Sequence, residues 1–221
     1  MSTPSLTRDL PLRRGISALL IIDVQNFCCH RDGGLFAGHN PARIKSEFGS
    51  YLGRLESVVI PNLQRAIGVC REAGIEVIYT TIEALTADGR DVSLDYKISQ
   101  LIVPKGAWDG QVIDAITPES DEIRIPKGAS SVFIATNIAG ILRNLGVERL
   151  AIGGVMTDQC VESAVRDACD SGFLVTLVHD ACAALSAERH TNSLKALGGY
   201  CRQIDTDALM YELKDAVTTA T

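Results

Sequence analysis

Apolar residues fall along this chain in short unbroken runs that alternate with longer amphipathic stretches. Residues 18–23 (ALLIID) form the first run, apolar throughout and ending in a carboxylate, as expected of a strand buried on both faces. Residues 51–73 read as a helix with Gly74 as its stop, and residues 75–81 (IEVIYTT) are β-branched and strand-like. After a long irregular segment, residues 122–125 predict a short strand and 136–145 a helix closed by Gly146. A strand over 150–153, a helix over 158–171 ending at Gly172 and a strand over 173–179 come next. A helix over 187–197 precedes Gly198 and Gly199, residues 200–204 form the last strand, and residues 207–213 close the chain as a helix. Strands separated by helices of this length predict a mainly parallel sheet covered on both faces.

With 221 residues the chain is long enough for one substantial core, and a single domain over 1–221 is the expectation. No apolar run has the length of a membrane span, so no membrane association is expected. Met1-Ser-Thr-Pro-Ser lacks the basic start and apolar core of a secretory leader, which points to a cytoplasmic protein. In that compartment seven cysteines, an odd number, read as reduced thiols. A net charge of −6 without a Lys/Arg cluster argues against nucleic acid as a partner.

The candidate chemistry gathers where parallel sheets place it, beyond the carboxyl ends of the strands. Residues 150–153 run through Gly153-Gly154 into a helix that Thr157 or Asp158 can cap, with Cys160 in its first turn. Unpaired amides and the helix dipole there favour negative charge, so the thiol pKa is expected to fall, and the same amides suit an oxyanion. The alternative is a small buried apolar cysteine. Asp23 ends the first strand, where a partly dry carboxylate can act as a base, and Lys127 follows the strand over 122–125 after Pro126. A purely structural Asp23–Lys127 salt bridge is the alternative, but burying such a pair brings doubtful stability, which favours a functional reason.

Three ordered blocks, Ile22-Asp23-Val-Gln25-Asn26-Phe27, Ile125-Pro-Lys127-Gly-Ala-Ser-Ser-Val-Phe133 and Gly154-Val-Met-Thr-Asp-Gln-Cys160-Val-Glu-Ser-Ala-Val-Arg-Asp-Ala168, resemble the isochorismatase-like cysteine hydrolase superfamily. The likeness spans about residues 18–204. It implies a Rossmann-like three-layer α/β/α sandwich around a six-stranded parallel sheet and a catalytic triad of Asp23, Lys127 and Cys160. It further implies a cis peptide at Val155-Met156, oxyanion donors at the N–H groups of Met156 and Cys160, and assembly as a homodimer or homotetramer. The implied activity is hydrolysis of a small carboxamide, lactam or ureido compound through a thioester. Two other readings stand beside it: isochorismatase-type vinyl-ether cleavage, whose enzymes generally lack the nucleophilic cysteine, and a non-catalytic α/β binding protein.

Nicotinamidases of this superfamily carry an Asp-Trp-His type metal motif after the second strand, where this chain reads Thr80-Thr-Ile-Glu83. The four histidines show no ligand spacing, and no glycine-rich phosphate motif occurs, so neither metal nor other cofactor is expected. The segment from Thr81 to Lys97 is similar to streptothricin-hydrolase-like and ureidoacrylate-amidohydrolase-like members. Asn26, Phe27, Glu83 and Trp108 are the substrate-binding candidates, in a mostly apolar pocket suited to a small amide. Glu83 is read either as an acceptor for a substrate N–H or as a partner of Arg90, and Trp108 either as a pocket wall or as a subunit contact. Cys28-Cys29-His30 lacks paired metal spacing and reads as loop filling.

Overall fold

The strands assemble in the order β3-β2-β1-β4-β5-β6, every pair parallel. They are β1 (Ser17–Ile22), β2 (Glu76–Ile82), β3 (Ile123–Lys127), β4 (Arg149–Val155), β5 (Leu174–Ala183) and β6 (Arg202–Ile204) in a computed structural model that describes residues 7–218. The Met1 to Ser5 stretch considered above lies outside the described residues. In β1 every residue is buried, and in β2 and β4 every residue after the first, so helices and loops cover both faces of the central strands as the apolar runs require. The principal helices are α1 (Ile60–Glu72), α2 (Leu94–Ile98), α3 (Ile138–Asn144), α4 (Glu162–Asp170), α5 (Ala187–Leu197) and α6 (Thr206–Thr218). This is the expected α/β architecture around a six-stranded parallel sheet. None of the helices is long and apolar enough to cross a membrane, among the described residues.

Chain direction reverses across the sheet between β1 and β4: β2 and β3 are laid down on one side of β1, and β4 to β6 on the other. Loops leaving β1 and β4 therefore part at their carboxyl ends and open a crevice there.

Several local expectations are corrected. Pro126 and Lys127 belong to β3 itself; this is an edge strand, where a missing N–H is tolerated. Gly153 and Gly154 do not form a turn but lie inside β4, and the register with β5 slips between Ile152 and Gly154. Gly154 has φ +123°, and a Cβ there would sit 2.1 Å from the carbonyl oxygen of Ile22. Only glycine lets β4 pass β1 this closely. β5 runs on to Ala183, beyond the predicted end at residue 179. The helix predicted over 51–73 is part of a longer helical run that includes a π-helical segment at Leu55–Val59.

Candidate active site

Asp23 is the first residue past β1 and has φ +54°, a left-handed conformation that Asp tolerates better than most side chains. Its amide donates to the Thr80 carbonyl at 3.1 Å, its Oδ1 accepts from the Thr80 hydroxyl at 2.7 Å, and its carbonyl oxygen lies 3.2 Å from Cys28 Sγ. The side chain is thus fixed from the neighbouring strand and its own loop. The edge of β3 delivers Lys127, whose Nζ lies 2.7 Å from Asp23 Oδ2, with both side chains almost wholly withdrawn from solvent.

From the far side β4 delivers the cysteine. The peptide between Val155 and Met156, at the strand's end, is cis. A single π-helical turn, Thr157–Val161, then leads into α4, and Cys160 sits in that turn. Neither Thr157 nor Asp158 caps it, contrary to expectation. Thr157 Oγ1 is instead 2.8 Å from His190 Nδ1, while Asp158 pairs with Arg189. Arg54 Nη2 donates to His190 Nε2 at 3.3 Å, so the ring's proton belongs on Nδ1 and points to Thr157. Ser193 Oγ donates to the Thr157 carbonyl at 3.1 Å and fixes the same turn from α5.

Lys127 Nζ bridges the halves, 3.4 Å from Cys160 Sγ as well as 2.7 Å from Asp23. Burial opposes the lysine's charge, but Asp23 and Cys160 outweigh it and hold the ammonium above its ordinary range. The cysteine behaves differently from the sequence expectation. Burial pushes its thiol up, Lys127 pulls it down, and the Asp23 carboxylate pushes it up again, leaving it raised. Burial outweighs the pull of Lys127, so Cys160 rests as a thiol beside an ion pair.

The sequence reading missed Tyr96. It lies on α2 and is buried, and its hydroxyl lies 3.6 Å from Cys160 Sγ and accepts from Lys127 Nζ at 3.3 Å. Ser130 Oγ, 3.8 Å from the sulfur, was missed too. Neither carries a sequence signal, because α2 and the loop after β3 meet only through the fold. Gln25 was also overlooked; this fully buried side chain accepts from Ile82 N–H at 2.6 Å and donates to the Ile82 and Asp109 carbonyls, each at 2.9 Å. It ties the loop after β1 to β2 and to the segment around Trp108.

Asp23 and Cys160 both line a cavity of about 550 Å³. Phe27, Leu35, Leu101, Met156 and Leu185 make its apolar surface, and Tyr96, Ser130, Gln159 and Ser163 supply polar groups. Of the four substrate-binding candidates only Phe27 lines it. Asn26 is consumed by an Nδ2 bond to the Trp108 carbonyl at 3.0 Å. Trp108 is 46% exposed on a short 3-10 turn and meets the edge of His30, 4.9 Å between ring centres. Glu83 turns away from the cavity: Oε1 accepts from Gly106 N–H at 2.8 Å and Oε2 lies 3.5 Å from Arg124, while Arg90 pairs with Asp88. A buried carboxylate is bound where N–H groups converge, and for Glu83 they converge in the loop. No group of three or more His, Cys, Asp or Glu is placed to hold a metal ion, among the described residues.

A family model described as the isochorismatase domain matches residues 17–208. The ureidoacrylate amidohydrolase RutB of Agrobacterium fabrum is 26% identical over 198 residues, covering 82% of each chain. That of Acinetobacter baylyi is 29% identical over 183 residues, covering 75% of this chain and 70% of the relative. Among solved structures, a cysteine hydrolase from Pseudomonas syringae pv. phaseolicola superposes with a TM-score of 0.79 at 22% identity, covering 98% of this chain and all of that one. N-carbamoylsarcosine amidase from Thermoplasma acidophilum gives 0.65 at 23% identity, covering 87% and 97%. The family match across most of the sequence and the six-stranded parallel sheet agree: this chain belongs to the isochorismatase domain family.

Proposed function

We propose that this protein hydrolyses a C–N bond of a small carboxamide, lactam or ureido compound, with Cys160 as nucleophile, Asp23 as proton carrier and Lys127 as the cation that holds both. One observation carries the reading: a buried lysine lies within bonding distance of both a carboxylate and a thiol at the wall of a small cavity. The amidohydrolase names of the relatives support the reaction class.

Because burial keeps the thiol protonated at rest, attack needs a base, and Asp23 is the carboxylate at hand. Asp23 takes the Cys160 proton as Sγ attacks the carbonyl carbon, giving a tetrahedral oxyanion. The N–H groups of Met156 and Cys160 receive that oxygen. Collapse breaks the C–N bond, the Asp23 proton passes to the leaving nitrogen, and the acyl group remains on sulfur as a thioester. Water then gives a proton to Asp23 and its oxygen to the acyl carbon; the acid leaves and the thiol regains its proton. Lys127 keeps its charge throughout, offsetting negative charge on carboxylate or thiolate in turn, and the Tyr96 hydroxyl donates to the thiolate when it forms.

Ammonia release from a panel of primary amides and ureido compounds, and ring opening of lactams, test this, with hydroxylamine added to intercept the acyl group on sulfur (as a hydroxamate, or as hydroxyurea from a carbamoyl group) and isochorismate run alongside. Ammonia or an opened ring, together with the hydroxylamine adduct, is the expected result. Pyruvate from isochorismate with neither ammonia nor ring opening from any compound of the panel overturns it.

A further inference from the structure

The cavity that holds Cys160 has a definite electrical character. Among the described residues its charged lining side chains are Asp23, Asp95 and Asp158, with no lysine, arginine or histidine. Lys127 neutralises Asp23 from behind the wall and is spent there, its remaining bonds going to Tyr96, Ala129 and Cys160. Arg189 likewise neutralises Asp158. Asp95, exposed on the first turn of α2, forms no ion pair among the described residues. The other polar groups facing the cavity include the hydroxyls of Ser99, Ser130 and Ser163 and the Gln159 amide, all of them neutral.

A substrate carboxylate entering this space would shed its water and meet no free cation, close to a nucleophile that itself becomes negative. Transfer of an unpaired carboxylate into such a place is strongly unfavourable. A neutral substrate bears no such cost, and a substrate ammonium or amidinium gains from Asp95 at the mouth. We infer that the cavity selects neutral or cationic amides, with Asp95 as the residue that favours the cation, and discriminates against carboxylate-bearing ureido acids. This rests on the assignment of Cys160 as nucleophile and adds the charge class of what it attacks.

Methanethiosulfonate reagents of three charges test it on the full chain without knowledge of the substrate. Each forms a mixed disulfide with a thiolate and releases methanesulfinate, so mass spectrometry of the Cys160 peptide gives three rates, each divided by the reagent's rate with the neutral thiol 2-mercaptoethanol. The expected order is aminoethyl (cationic) over methyl (neutral) over sulfonatoethyl (anionic), with the cationic-to-anionic ratio about tenfold or more at low ionic strength and falling with added salt. Asp95→Asn should cut that ratio by about threefold, because the removed charge is the unpaired one. An anionic reagent as fast as the cationic one overturns the inference while leaving Cys160 the nucleophile. Failure of all three to modify Cys160 overturns the nucleophile assignment and the inference with it.

Discussion

The Lys127 ammonium stands 2.7 Å from the Asp23 carboxylate, inside a protein that leaves each side chain at most 1% exposed. A pair this deep adds little to stability compared with apolar residues of the same volume, yet losing one partner strands the other as a bare charge. Lys127→Met should therefore lower unfolding free energy in urea by about 3–5 kcal/mol, and the double variant Asp23→Asn/Lys127→Met should regain most of that loss. Both should be inactive. A Lys127→Met protein with the wild-type urea midpoint would show that the pair is not buried as described.

Tyr96 reaches the sulfur from α2 and the lysine from the same oxygen. A hydrogen bond to a charged group contributes about 1.5–3 kcal/mol, so Tyr96→Phe should slow turnover by about ten- to a hundredfold. It should also move the pH profile of Cys160 alkylation by iodoacetamide upward, because the thiolate loses a donor. An unchanged profile would reduce Tyr96 to a wall of the cavity.

The approach of β4 to β1 rests on Gly154, where a Cβ would lie 2.1 Å from the Ile22 carbonyl oxygen. Gly154→Ala should force the strands apart and cost several kcal/mol or soluble expression. Gly53, in a helix with open space around its Cβ position, is the matched control: Gly53→Ala should be neutral or stabilise by up to about 1 kcal/mol. Equal thermal midpoints for the two variants would contradict the packing described.

Burial, reinforced by Arg54, lowers the His190 pKa from its ordinary 6.5 to about 4. Between those values the unfolded chain binds the proton and the folded one does not, so stability rises with pH there. Its contribution is complete above about pH 6.5 and lost as pH falls towards 4, on the order of 3 kcal/mol in all. His190→Gln should flatten that part of the stability profile measured by urea unfolding between pH 4 and 7. A slope identical to wild type would show that His190 titrates normally.

How far the sequence reaches is clearest at the two ends of the site. Asp23 and Cys160 were found because each follows an apolar run whose buried, parallel character is written in consecutive residues, and helix 187–197 was read to the residue for the same local reasons. Lys127 was found by its place just after the strand over 122–125, although that strand was drawn too short, since a proline inside a run hides an edge strand. The direction of the Cys160 pKa shift was misjudged because a helix terminus is visible in a sequence whereas the burial of the thiol by the folded chain is not. Glu83 and Trp108 lie in loops whose bonding partners, Gly106, Arg124 and His30, are fixed by tertiary contacts that no periodicity encodes.

The central claim, that Cys160 breaks the C–N bond, is tested most directly by the rate of ammonia release of Cys160→Ala beside the wild-type protein on the best amide of the panel. The account predicts a loss of at least about a thousandfold with the unfolding midpoint retained, since removing a covalent nucleophile leaves only what binding and the oxyanion donors provide. Turnover by the alanine variant within tenfold of wild type would contradict it.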